Sequence, residues 1–114
     1  GYELYSNNGS AISNQSRSIL LNSFEDELVT FGGLPQRYGY WVAKRSFSLA
    51  DGTSLEVIGH QGGGGGYTSQ FLYSPDLDLS ISVLLNQGLR SQGSCLDYSP
   101  LDCISWEIFK AYAD

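Results

Sequence analysis

The chain has 114 residues, a mass of 12.4 kDa and a formal net charge of −6, a size that suits one domain with a core of its own. Apolar residues make up 41% and charged residues 16%, which excludes intrinsic disorder, and six Lys and Arg against twelve Asp and Glu exclude a sequence-independent grip on a phosphate backbone. No apolar run approaches the roughly 18 residues of a membrane span, and no basic-then-apolar leader is visible.

The chain opens Gly1-Tyr2 and contains no methionine, so it reads as a processed or tagged product or a fragment. Residues 1–10 are polar and turn-rich (Ser6-Asn7-Asn8-Gly9-Ser10) and are expected to form a loop. From 12 to 28, Ile12, Ile19, Leu20, Phe24 and Leu28 fall at offsets of 7, 8, 12 and 16 from the first, and Leu21 lies between them. That spacing predicts one helix, with Arg17, Asn22 and Glu25 turned to solvent and Gly32-Gly33-Leu34-Pro35 as its terminator.

After Pro35 the period changes to two. Tyr38 to Leu49 is aromatic and β-branched and predicts a strand; Asp51-Gly52 marks a hairpin turn. Leu55 to His60 predicts a second strand running into glycines 62–66, Tyr67 to Tyr73 a third, and Leu79 to Leu85 a fourth, with a turn at Ser74–Asp78. Alternation in the last of these puts Leu79, Ile81, Val83 and Leu85 on one face.

The chain closes with a helix: Ser99 is placed to cap it, Pro100 to open it, and Asp102 to put an acid in its first turn. Its expected inward stripe is Leu101, Ile104, Ile108 and Tyr112, with Phe109 beside it. The expected fold is α+β, an antiparallel sheet of about four strands with a C-terminal helix packed on it, as a single domain over residues 1–114. Cys95 and Cys103 either close a loop as a disulfide worth roughly 2–3 kcal/mol, which places a protein outside a reducing cytosol, or remain two free thiols.

Candidate chemistry is sparse. The run Gly62–Gly66 is followed by Tyr67 rather than by Lys-Ser or Lys-Thr, so it is not a phosphate-binding loop. It reads either as a flexible hairpin connection or as a place where a substrate approaches the backbone, whose free N–H groups then serve as oxyanion donors. His60 is the only histidine, which argues against a structural zinc site, and no metal or other cofactor is expected. Asp76 and Asp78 look like solvated turn residues. No Gly-x-Ser-x-Gly elbow occurs, and neither Lys44 nor Lys110 has a serine three residues before it; those positions are Trp41 and Glu107.

The stretch Ile58-Gly59-His60-Gln61-Gly62-Gly63, continuing through Ser74-Pro75-Asp76 to Leu79–Leu85 and Asn86, resembles the end of the serine β-lactamase and penicillin-binding-protein superfamily. It is most similar to the branch of class C β-lactamases, D-alanyl-D-alanine carboxypeptidases and related esterases. In that branch Lys-Thr-Gly is often replaced by His-x-Gly, followed by a glycine-rich turn, a strand ending in a Pro-Asp or Pro-Glu turn, an apolar strand ending in Asn, and a C-terminal helix. Tyr38-Gly39-Tyr40-Trp41 similarly looks like the aromatic strand that precedes these motifs, so the likeness covers residues 38–112.

The resemblance implies acyl transfer through a serine ester, without metal. His60 stands at the basic position of the third motif and would orient a substrate carboxylate or tune the catalytic proton network; Gln61 and Gly62 would border the substrate; the Gly63 N–H would be one of two oxyanion donors. The family's Ser-x-x-Lys nucleophile motif is absent. Tyr5-Ser6-Asn7 spells the family's Tyr-x-Asn motif but precedes His60 by only 55 positions, shorter than the family usually allows.

The chain is therefore expected to be the C-terminal part of a longer hydrolase, inactive alone, periplasmic or secreted, with a β-lactam, peptide or ester as the parent's substrate. It is expected to self-associate through an uncovered sheet edge or face. Two other readings stand beside this one: a non-catalytic module that binds peptide or glycan strands along a sheet edge, and an unrelated small β-meander.

Overall fold

A computed structural model describes residues 2–31, 34–49, 51–86 and 99–113. In chain order the elements are α1 (Tyr2–Tyr5), α2 (Asn14–Leu21), β1 (Val29–Phe31), β2 (Leu34–Tyr38), β3 (Ala43–Ser48), β4 (Ser54–Gly64), β5 (Tyr67–Ser74), β6 (Leu79–Leu85) and α3 (Pro100–Ala113). The six strands form one antiparallel sheet in sequence order, β1-β2-β3-β4-β5-β6. The fold is α+β, with six strands where about four were expected.

The helix expected over 12–28 is only α2. Ser13 caps its start, its Oγ accepting from the Ser16 N–H at 3.1 Å. Asn22 and Ser23 end it by taking its last carbonyls, Asn22 Nδ2 donating to Ser18 O at 2.8 Å and Ser23 Oγ to Leu20 O at 2.7 Å. Released from the helix, residues 29–31 become β1 and pair with β2, Phe31 opposite Leu34. Gly32 and Gly33 lie outside the described residues.

Arg17 is buried rather than solvated. Its Nε donates to Leu4 O at 3.1 Å, Nη1 to Asn14 Oδ1 at 2.6 Å and Nη2 to Gly9 O at 2.6 Å. One side chain thus binds carbonyls of the N-terminal segment, where α1 replaces part of the expected loop.

The strand expected over 38–49 divides in two. Gly39 N–H donates to Val42 O at 2.8 Å, and Trp41 adopts a left-handed φ of 56°, so the chain turns sharply between β2 and β3. The glycine run resolves differently. Gly62–Gly64 complete β4, and Gly65 and Gly66, at φ 60° and 86°, form the two-residue turn into β5 that needs positive φ at both positions.

On one sheet face α3 packs Phe109 against Phe47, Leu55, Val57 and Leu72, with Trp106 beside them. On the other face α1 and α2 cover Val42, Ile58 and Tyr73, with Tyr5 at the centre. The cap and the first turn of α3 are as the sequence implies: Ser99 Oγ accepts from the Asp102 N–H at 3.2 Å and donates to Asp102 Oδ2 at 2.9 Å. Its buried face is not. Leu101, Asp102, Ser105 and Phe109 face inward, whereas Ile104 and Tyr112 are exposed. The reason is polar: Asp102 and Ser105 are bound by sheet residues, and those bonds fix the helix rotation. Cys103 is disulfide-bonded; Cys95 lies outside the described residues.

Candidate functional site

The candidate residues converge on the second half of β4. Pairing of β3 with β4 stops at Ala43 opposite Gly59, while pairing of β4 with β5 continues from Ile58–Tyr73 to Gly64–Tyr67. Across from β5, no strand among the described residues pairs with His60–Gly64. This stretch therefore presents an open backbone edge inside an otherwise continuous sheet.

A strand's side chains alternate, so His60 and Gln61 point to opposite faces. His60 lies on the α1–α2 face, opposite Phe71, with the edge of its ring toward Tyr38 at a centroid distance of 5.8 Å and an angle of 72°. Its Nδ1 bonds the Gln61 carbonyl. A carbonyl only accepts, so Nδ1 carries the hydrogen, and in the neutral ring Nε2 is left as the acceptor. Below His60 the same face is aromatic, Tyr5 stacking on Phe71 at 6.4 Å. Burial raises the Tyr5 phenol above its ordinary 10.0, and burial likewise raises Tyr73, whose hydroxyl donates to Asp78.

Gln61 turns toward α3 into a buried polar network. Asp102 Oδ1 accepts from Arg45 Nη1 at 2.6 Å and from Gln61 Nε2 at 3.1 Å. Gln70 Oε1 accepts from Arg45 Nη2 at 3.0 Å and also from Gln61 Nε2, and Gln70 Nε2 donates to Ser105 Oγ at 2.8 Å. The Gln61 side chain thus fastens β4 to α3, leaving its backbone, rather than its amide, to border anything bound along the strand.

Gly62, Gly63 and Gly64 are exposed and pair with Ser69, Thr68 and Tyr67. A Cβ on Gly64 would meet nothing within 4 Å, so the backbone can be approached closely there, whereas one on Gly62 would crowd Ser69 Oγ at 3.0 Å. Alternate residues direct their N–H and C=O to the same side of a strand, which puts the Gly63 N–H on the side of the Gln61 carbonyl that holds His60. The glycines also floor a cavity of about 610 Å³ whose walls include the exposed Tyr67 and Leu84.

The structure therefore brings His60, Gly62 and Gly63 together along one strand and sends Gln61 to the opposite face. Sequence reading missed Tyr38 as the ring beside His60, although Tyr38 is the last residue before the Gly39 turn. Tyr40 and Trp41, expected in an aromatic strand, are instead exposed in the turn that leads into β3. Among the described residues no group of three or more His, Cys, Asp or Glu is arranged to hold a metal ion, and no helix is long and apolar enough to cross a membrane.

No protein-family model, curated protein or solved structure matches the chain.

Proposed function

We propose that this chain supplies the substrate-bordering strand and the C-terminal helix of a β-lactamase-like serine hydrolase, acting by acyl transfer on a β-lactam, a D-alanyl-D-alanine peptide or an ester. The observation that carries this reading is the open edge of β4 at His60–Gly64, in a His-x-Gly setting, within an antiparallel sheet backed by a C-terminal helix. In this role His60 orients the substrate carboxylate, the Gly62 backbone borders the substrate, and the Gly63 N–H stabilises the oxyanion; losing one such donor costs about 10²–10³ in rate. The disulfide at Cys103 supports a periplasmic or secreted setting.

The nucleophile has to come from elsewhere, because no Ser-x-x-Lys occurs among the 114 residues. Incubated with a chromogenic β-lactam or an activated ester, the chain alone is expected to give the buffer rate; burst acylation of any of its serines would refute the assignment. The decisive test is the coding DNA upstream of Tyr2. An open frame carrying Ser-x-x-Lys supports the hydrolase, and a start codon directly before Tyr2 overturns it.

The same open edge favours a second reading, a module that adds a peptide or glycan strand by β-augmentation. Saturable binding of a D-Ala-D-Ala peptide to a chain that proves to have no upstream frame would select it.

Self-association belongs to the same proposal. β6 is an edge strand of seven residues, and its Leu84 is 79% exposed. Such an edge is a template for a second copy. Sedimentation velocity is expected to show concentration-dependent dimers or larger species that Leu84→Lys suppresses, and a monomer at every concentration would rule this out.

A further inference from the structure

We propose that Asn8 and Asn14 are acceptor sites for N-linked glycans. Asn8-Gly9-Ser10 and Asn14-Gln15-Ser16 are both Asn-x-Ser triplets with no proline in the middle. Asn7, Asn22 and Asn86 have Gly, Phe and Gly two positions on, so they lack the hydroxyl that a transferring enzyme reads. Transfer of this kind takes place along a secretory route, for which the disulfide at Cys103 is the sign. It does not depend on whether the chain is a hydrolase.

Both asparagines stand where a bulky group can be carried. Asn8 is exposed in the turn after α1, and Asn14 is exposed as the first residue of α2. The Asn8 backbone N–H donates to Ser6 Oγ at 3.2 Å, while its side-chain amide has no partner among the described residues. Asn14 Oδ1 accepts from Arg17 Nη1 at 2.6 Å. A sugar joined to Nδ2 keeps that carbonyl as an acceptor, so the contact with Arg17 survives the modification.

One residue holds the segment that joins the two acceptors. Arg17 Nη2 donates to Gly9 O at 2.6 Å and to Ile12 O at 3.3 Å, which anchors that segment to α2. Beside Asn14 lies a hollow of about 370 Å³ lined in part by Asn7, Ser18 and Asn22. All three are exposed, and their amides and hydroxyl suit the hydroxyl and acetamido groups of a first sugar. Neither acceptor lines the cavity over Gly62–Gly64, so the sugars attach away from the candidate hydrolase site.

Ser10 sets the order of events. In the folded chain its N–H and Oγ both donate to Glu3 Oε2, at 2.7 and 2.8 Å, so its hydroxyl is engaged. Transfer at Asn8 therefore precedes the closing of Glu3 on Ser10. The donor is an oligosaccharide joined through a pyrophosphate to a lipid. The Asn Nδ2 bonds to its anomeric carbon and loses one proton. The C–O bond to the pyrophosphate breaks, and the lipid pyrophosphate leaves with that electron pair.

The test is translation of the full chain, behind a cleavable secretion leader, in the presence of endoplasmic-reticulum membranes. Acceptance is then read as the chain emerges, whether or not a variant goes on to fold. The product is labelled through its leucines, because the chain has no methionine. Two upward steps in mass are expected, each of about 2 kDa and each removed by an endoglycosidase. Asn8→Gln is expected to lose one step and Ser16→Ala the other, while Ser16→Thr, which keeps the hydroxyl, retains both. A product whose mass the endoglycosidase leaves unchanged overturns the proposal, as do sugars that persist when Asn8→Gln and Ser16→Ala are combined. A single step upholds the site whose variant abolishes it and overturns the other.

Discussion

Asp102→Ala is expected to cost about 3–5 kcal/mol of folding stability, a large share of the roughly 5–15 kcal/mol available to a single domain. Asp102 is fully buried, and its two oxygens accept from Arg45, Gln61 and Ser99. Truncation leaves the Arg45 guanidinium buried without its counter-ion, removes an acceptor from Gln61 and takes the acid from the first turn of α3. The cost therefore comes from what is stranded rather than from the worth of the pair. It follows that Arg45→Met combined with Asp102→Leu is expected to recover part of the loss, since apolar replacement of both members strands nothing. Urea unfolding of the two variants measures both effects. A loss below about 1 kcal/mol for Asp102→Ala would mean that the network does not hold α3 to the sheet.

Gly59→Ala is expected to be at least as damaging, above about 4 kcal/mol, and to abolish folding if the domain is marginal. Gly59 lies between two partners, Ala43 on β3 and Leu72 on β5. A Cβ there would overlap the Phe71 carbonyl oxygen and stand 2.9 Å from Phe71 C and 3.0 Å from Leu72 Cα. All three are backbone atoms, so no side chain can swing away and the strands themselves must separate. Gly64→Ala is the control: nothing lies within 4 Å of its Cβ, and a change within about 1 kcal/mol is expected. Equal stabilities for the two variants, from chemical denaturation, would show that the β4–β5 contact yields where the geometry says it cannot.

The parts of the fold that were legible in the sequence are those whose cause is local. The alternation of Leu79, Ile81, Val83 and Leu85 gives β6 from Leu79 to Leu85, and Ser99-Pro100-Leu101-Asp102 gives the start of α3. The parts that were not legible are governed by distant partners. Asp102 and Ser105 look like surface residues until Arg45 and Gln70, 57 and 35 positions away, bind them and turn Ile104 and Tyr112 outward. Arg17 looks solvated until the carbonyls of Leu4 and Gly9 surround it. β1 and β2 were hidden because Gly32-Gly33-Leu34-Pro35 reads as a terminator, and Pro35 tolerates a strand position only beside a short edge such as β1.

At the candidate site the sequence made His60 and the glycines visible. The separation of His60 from Gln61 was also readable, since it follows from the period of a strand. The open edge was not, because it depends on β3 turning away at Val42 before it reaches the level of His60.

The strand order also bears on how the molecule assembles. Every strand is hydrogen-bonded to its neighbour in sequence, so no pairing waits for a long segment of chain to be threaded back. The turn at Gly65-Gly66 closes over two residues already suited to positive φ, and it joins the two longest strands, paired over seven residues from Ile58–Tyr73 to Gly64–Tyr67. Closure of so short a loop sacrifices little chain entropy, and hairpins of this kind form in roughly 1–10 μs. That hairpin is the natural seed. β3 and β6 can add to its two sides independently, each through its own short connection, while the docking of α3 must wait until Arg45, Gln61 and Gln70 stand side by side on three adjacent strands. The helix that fastens the sheet thus forms its polar contacts only once three strands are paired.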